Sequence, residues 1–215
     1  MSDRAGSPGT DRAAESLRLF VAVELSEAWR EHATGVAEEL RGDDGRAYHW
    51  VRPELYHVTL VFLGDQPAES LGAIEAALRD AADGVPPFEL TLGALSAFGI
   101  DVPKALVLTV EDRSGALREL RRRLDAELDR RGVSFDRKGL RPHVTLGRAR
   151  HRRSQGPGSG ATDTGSTRLS GVVGPLQVRE IALVKSELLP GGEPTTRAGD
   201  ARAGFSPVWP RTSPP

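Results

Sequence analysis

The chain has 215 residues, 38% hydrophobic and 27% charged, enough apolar material to bury a core as one domain or as two closely joined lobes. Lysine and arginine number 29 against 30 acidic residues, a net charge of −1, so a broad cationic field for gripping long nucleic acid is excluded and any nucleic-acid contact is expected locally, at an end. With no cysteine, a disulfide framework and a thiolate metal site are excluded as well.

In chain order, residues 1–16 are small and polar, read as a disordered tail, and lack the apolar run of a secretion signal. LRLFVAVEL at 17–25 reads as a strand, and 26–41 as a helix opened by Ser26. A strand beginning at His57 follows, HVTLVFLG. Residues 69–84 show helical spacing in Leu71, Ile74, Ala77 and Leu78 with a glycine stop, and 87–99 read as a strand. KALVLTVE at 104–111 is a strand, 112–132 a helix closed by Gly132, and a second strand begins at His143, HVTLGRAR. Residues 150–171, rich in Gly, Ser and Thr with a basic start, read as a mobile surface loop, 178–190 as a last strand, and 193–215 as a polar C-terminal segment. No stretch approaches a membrane span. The expectation is one α+β domain over 17–192 with largely antiparallel sheets, cytoplasmic and monomeric.

His-Val-Thr-Leu therefore occurs twice, at 57 and 143, in a chain with five histidines. Each copy follows a strand and a helix, so the chain reads as two related halves that supply one histidine each. Strand alternation puts His57 and Thr59 on one face, with Val58, Leu60 and Phe62 on the other; His143 and Thr145 likewise share a face. A single such word is an ordinary half-buried strand. Two of them, brought together about a pseudo-twofold axis, put imidazoles on opposite sides of a reacting phosphorus. One removes a proton from the attacking oxygen, the other protonates the leaving oxygen, and histidine's pKa of about 6.5 suits both tasks. The threonine hydroxyls can hold charge on nonbridging oxygens. A metal held by the two histidines would need a third ligand, and neither word contains one, so no metal or cofactor is expected.

These words, with RLFVAVEL near the start, WVRPELYHVTLVFLGD at 50–65, GLRPHVTLGRAR at 139–150 and IALVKSELLPGG late in the chain, resemble the two-histidine phosphoesterases. The resemblance is closest to the bacterial and archaeal RNA 2′,3′-cyclic phosphodiesterases, also called 2′-5′ RNA ligases, and spans about residues 18–192. It implies a bilobal, pseudo-twofold fold of two antiparallel sheets flanking a central cleft, with helices outside. It further implies metal-independent hydrolysis of an RNA-terminal 2′,3′-cyclic phosphate to a 2′-phosphate, with weak reversible 2′-5′ joining of RNA ends. Carried over by residue, His57 and His143 are catalytic, the first as acid for the 3′ oxygen and the second as base for water; Thr59, Thr145 and Arg148 bind phosphate. Alternation sets Arg148 on the face opposite His143 unless Gly147 permits a bulge or Arg148 reaches around the strand end. Phe20 is a candidate for stacking on a base and Trp50 and Arg52 for the rim, whereas His32, His49 and His151 carry no role.

Two other readings stay open: a relative acting on a small cyclic nucleotide or a 2′-5′ oligonucleotide, and a noncatalytic binder of RNA ends. Both full HxT words speak against the binder, which needs hydroxyls and positive charge but not two positioned acid/base groups.

Overall fold

The structure, a computed structural model, describes residues 16–44, 47–99, 103–150, 173–188 and 194–195. The expected N-terminal tail, the loop after 150 and most of the C-terminal segment lie outside the described residues. The strands are β1 (Ser16–Glu24), β2 (Tyr48–Trp50), β3 (His57–Pro67), β4 (Phe88–Phe98), β5 (Ala105–Glu111), β6 (His143–Ala149), β7 (Leu176–Val178), β8 (Ala182–Lys185), β9 (Glu187–Leu188) and β10 (Pro194–Thr195). Three α-helices accompany them among the described residues: α1 (Glu27–Asp44), α2 (Leu71–Ala82) and α3 (Ala116–Arg130). No helix among the described residues is long and apolar enough to cross a membrane.

The strands run in the order β7-β4-β5-β6-β3-β1-β8, with β2 added on β6, and every pair is antiparallel. The sequence suggested two sheets; the structure has them fused. Half-sheets β8-β1-β3 and β6-β5-β4-β7 join where Val58 lies opposite Val144, both wholly buried. A small ribbon of β9 and β10 stands apart.

The expected last strand, 178–190, is broken. β7 pairs with β4 at one edge of the sheet and β8 with β1 at the other, yet only Arg179–Ile181 separate them. Laid flat, seven adjacent strands would hold those edges about 29 Å apart, whereas the linking residues reach about 14 Å. The sheet must curl until its edges nearly meet, with Ile181 buried in the link.

One face of the sheet carries the core. α1 contributes Trp29, Ala33, Val36 and Ala37, α2 contributes Ile74, Ala77 and Leu78, and α3 contributes Leu117, Leu120, Leu124 and Leu128 at helical spacing. Val58, Leu60, Val144 and Leu146 meet them from the sheet. Ser26 caps α1, its hydroxyl accepting from the Trp29 amide at 3.3 Å, as the serine at that position suggested. The exposed arginines of α3 are paired with acids, Glu119 with Arg122 and Arg123 and Glu127 with Arg130, which makes that face a solvated one.

Both histidine strands contain the same irregularity. Between β1 and β3 the register slips from Val21 opposite Val61 to Ala22 opposite Thr59, leaving Leu60 unmatched. Between β5 and β6 it slips from Leu106 opposite Gly147 to Val107 opposite Thr145, leaving Leu146 unmatched. Such a bulge inverts the alternation beyond it. Leu60 and Val61 are consecutive buried residues, as are Leu146 and Gly147, and the next side chain, Phe62 or Arg148, is exposed. Phe62 and Arg148 thus return to the histidine face, which corrects the alternation-based placement of Phe62 and resolves that of Arg148. Glycine is not the cause, because valine holds the equivalent bulge.

Gly147 answers a different need. The chain ahead of each histidine strand reaches over to the other half: β2 pairs along β6, Trp50 opposite Gly147, and the amide of Asp136 donates to Phe62 of β3 at 2.8 Å. A Cβ on Gly147 would lie 3.3 Å from both the Trp50 ring and Tyr48 Cβ. Replacing Gly147 with valine, the residue that occupies the matching site in the other half, is expected to lower unfolding free energy by about 1–3 kcal/mol through overpacking against β2. Urea denaturation measures this, and an unchanged midpoint would show that β2 yields freely.

Candidate active site

The pair Val58–Val144 sets the two HVT words side by side and antiparallel, so His57 falls toward the Thr145 side and His143 toward the Thr59 side. Because the valines face the core, alternation turns both histidines and both threonines to the opposite face, where all four are half-buried.

Each imidazole is held in the same way. His57 Nδ1 lies 2.8 Å from the carbonyl of Leu55, and His143 Nδ1 lies 2.6 Å from the carbonyl of Arg141, in each case two residues back. A carbonyl can only accept, so Nδ1 carries the hydrogen and Nε2 is the atom left to exchange protons. For His57 that Nε2 is 3.1 Å from the Thr59 hydroxyl, which donates to the neutral ring and accepts from the protonated one. Phenyl rings brace the imidazoles: Phe20 at 4.8 Å from His57, tilted by 32°, and Phe98 at 4.7 Å from His143, edge-on at 65°.

Burial pushes both histidines below their ordinary value of 6.5, because the charged ring loses water. The carbonyl bonds oppose this by favouring the protonated form. The positive charge of Arg148 lowers both rings further, and His143 in turn lowers His57. One guanidinium within electrostatic reach of both rings fits the bulge that turns Arg148 to their face.

Arg148 is exposed and forms no ion pair among the described residues, which leaves its guanidinium open to an anion. Thr145 makes no side-chain hydrogen bond among the described residues. Phe20 is only 4% exposed and packs beneath His57, whereas Phe62 is 48% exposed and its ring lies 6.0 Å from that of Phe20. The open aromatic surface on the side of the first histidine is therefore Phe62. Phe98, like Phe62, escaped the sequence reading; the available signal for Phe62 was its place five residues after His57, matching Arg148 after His143. Trp50 is half-buried, with the Arg41 guanidinium 5.4 Å over its ring, and Arg52 pairs with Glu54 at 3.4 Å. Among the described residues no group of three His, Cys, Asp or Glu side chains could hold a metal ion.

This arrangement has counterparts. The family model of the 2′-5′ RNA ligase superfamily matches residues 23–187. An RNA 2′,3′-cyclic phosphodiesterase of Methanothermobacter thermautotrophicus is 31% identical over 82% of this chain and 93% of that protein, and one of Archaeoglobus fulgidus is 30% identical over 82% and 94%. Among solved structures, TT0787 of Thermus thermophilus superposes with a TM-score of 0.64 at 29% identity, covering 83% of this chain and 93% of that one. LigT of E. coli complexed with 3′-AMP gives 0.62 at 24% identity over 84% and 94%, a likeness of fold. With a match that takes in both histidine words and relatives aligned over most of their length, the chain belongs to the 2′-5′ RNA ligase superfamily.

Proposed function

We propose that this protein is an RNA 2′,3′-cyclic phosphodiesterase, acting through residues 17–192 as one unit on RNA ends that enter a cleft over the histidine face. The observation that carries this is the matched pair of imidazoles, each clamped at Nδ1 and each left with Nε2 for proton transfer. The two relatives aligned over 82% of the chain and named above bear that activity as their name.

In the proposed reaction a water attacks phosphorus in line with the 3′ oxygen. His143 Nε2 takes the water proton while His57 Nε2–H protonates the departing 3′ oxygen. The P–O3′ bond breaks, one P–OH bond forms, and the 2′ ester is kept, which yields a 2′-phosphate and a free 3′-hydroxyl. Thr59, Thr145 and Arg148 hold the nonbridging oxygens as charge builds on them. The division of roles has a structural support besides the family pattern. Exposed Phe62 offers an apolar surface on the His57 side, where a nucleoside attached to the leaving oxygen would lie.

His57→Ala and His143→Ala are each expected to lower turnover of RNA ending in a 2′,3′-cyclic phosphate by on the order of 10² to 10⁴. Because both act in one step, the double variant should be little worse than either. Near wild-type turnover in a single variant would exclude the mechanism. Parallel assays on small 2′,3′-cyclic nucleotides show whether the RNA chain contributes to recognition. Thr59→Val and Thr145→Val keep the branched shape but remove the hydroxyl, for an expected loss of about 10² or less. Unchanged kinetics in both would reduce the threonines to strand formers.

The pH profile follows from the same geometry. The free enzyme needs one ring neutral, above its pKa, and one protonated, below its pKa. Both are lowered from 6.5, so the optimum of kcat/KM should lie on the acid side of 6.5. Arg148→Met removes a positive charge that lowers both, so it should slow the reaction and move the optimum upward. Activity should also survive exhaustive chelation; loss to chelator with recovery on adding one divalent cation would overturn the scheme.

A further inference from the structure

The two halves satisfy their bulges differently, and the difference singles out a residue far from the histidine face. A bulge leaves a backbone carbonyl without its sheet partner. In β6 that carbonyl is Leu146's, and the backbone amide of Val51, just past β2, donates to it at 2.9 Å. In β3 the equivalent carbonyl is Leu60's, and the arm that should serve it, residues 134–138, instead places its Asp136 amide on Phe62. The missing donor comes from α3: Arg121 Nη1 donates to Leu60 O at 2.6 Å.

The same guanidinium binds the arm. Nη2 donates to Asp136 O at 2.8 Å and lies 3.5 Å from Lys138 O, while Nε donates to Asp125 at 2.6 Å, its only carboxylate partner among the described residues. The residue is 8% exposed. One planar fork therefore ties three things together: the bulge directly after His57 and Thr59, the arm that leads into His143, and the helix of the second half. A lysine cannot do this, since its donors sit on a single nitrogen. Position 35 in the first half, which corresponds to Arg121 at the offset separating the two histidines, is glycine.

We propose that Arg121 is a positioning residue for the catalytic pair, holding His57 in register with His143 through the Leu60 carbonyl; this rests on the acid/base reading given above. A shift of the His57 strand by about 1 Å would cost up to about 10² in rate. The test uses Arg121→Met and Arg121→Lys in the full chain, with folding checked by circular dichroism and each histidine titrated by NMR at its ring carbons.

For Arg121→Met the expected result is a fall in kcat of about 10- to 100-fold with KM within about threefold. The His57 titration should rise toward 6.5 as water reaches the loosened strand, while that of His143 stays in place. Adding Arg121→Met to His57→Ala should cost little more, because the residue acts through that imidazole. A folded Arg121→Met with wild-type kcat and an unmoved His57, or a loss that multiplies with that of His57→Ala, overturns the proposal. Should the methionine variant not fold, Arg121→Lys decides by the same readings, and failure of both to fold assigns Arg121 a structural role instead. Absence of cyclic-phosphate turnover in the wild type would sink the phosphodiesterase reading alone, since the titrations need no substrate.

Discussion

The geometry of the histidine face depends on one contact, the pairing of Val58 with Val144. It is the only register position shared by β3 and β6 among the described residues, and both side chains are wholly removed from water. Through it two half-sheets become one, and the two HVT words come side by side. Burying a pair of valines is favourable by about 1.5–3 kcal/mol for each side chain, an ordinary hydrophobic gain that here fixes the relation between the two histidines. Separate sheets would let the imidazoles drift. A long ladder between β3 and β6 would fill the space beside them with backbone.

Around that contact the halves exchange arms. β2 runs onto β6, and residues 134–138 run onto β3, so the chain leading into each histidine is anchored on the other half. The symmetry is imperfect on the histidine face. After the bulge the first half presents Phe62 and the second Arg148, an apolar surface on one side and a cation on the other. Phe20 and Phe98, which brace the two imidazoles, come from strands that do not correspond. A duplicated scaffold has become a directional one by side-chain choice at matching positions.

Much of this was legible beforehand. The strands at 17–25, 87–99 and 104–111 form within a residue or two of their expected limits, because short apolar runs between polar or turn-forming flanks leave little choice. Helix 112–132 starts four residues late, since Asp112 accepts the Arg118 amide from outside the helix. What could not be read was anything that depends on two strands at once. A bulge is a property of a pair, so alternation along β3 alone put Phe62 on the wrong face and left Arg148 in conflict. β2 is three residues long, too short for any period to declare it. The split at Arg179–Ile181 follows from the curl of the sheet, to which the local sequence is blind. Arg121 stands among several arginines and acids in 112–132, and nothing in the local sequence sets it apart.

The carbonyl clamps on Nδ1 also bear on how the enzyme starts its next cycle. In the proposed reaction His57 gives up a proton and His143 gains one, so each turnover ends with the two rings in exchanged protonation states. The clamps keep both mobile protons on Nε2, on the open face, and bar any relay through the protein interior. Recovery of the starting form then falls to solvent or buffer after product leaves, and the catalyst exists in two interconverting forms that differ only in which imidazole is charged.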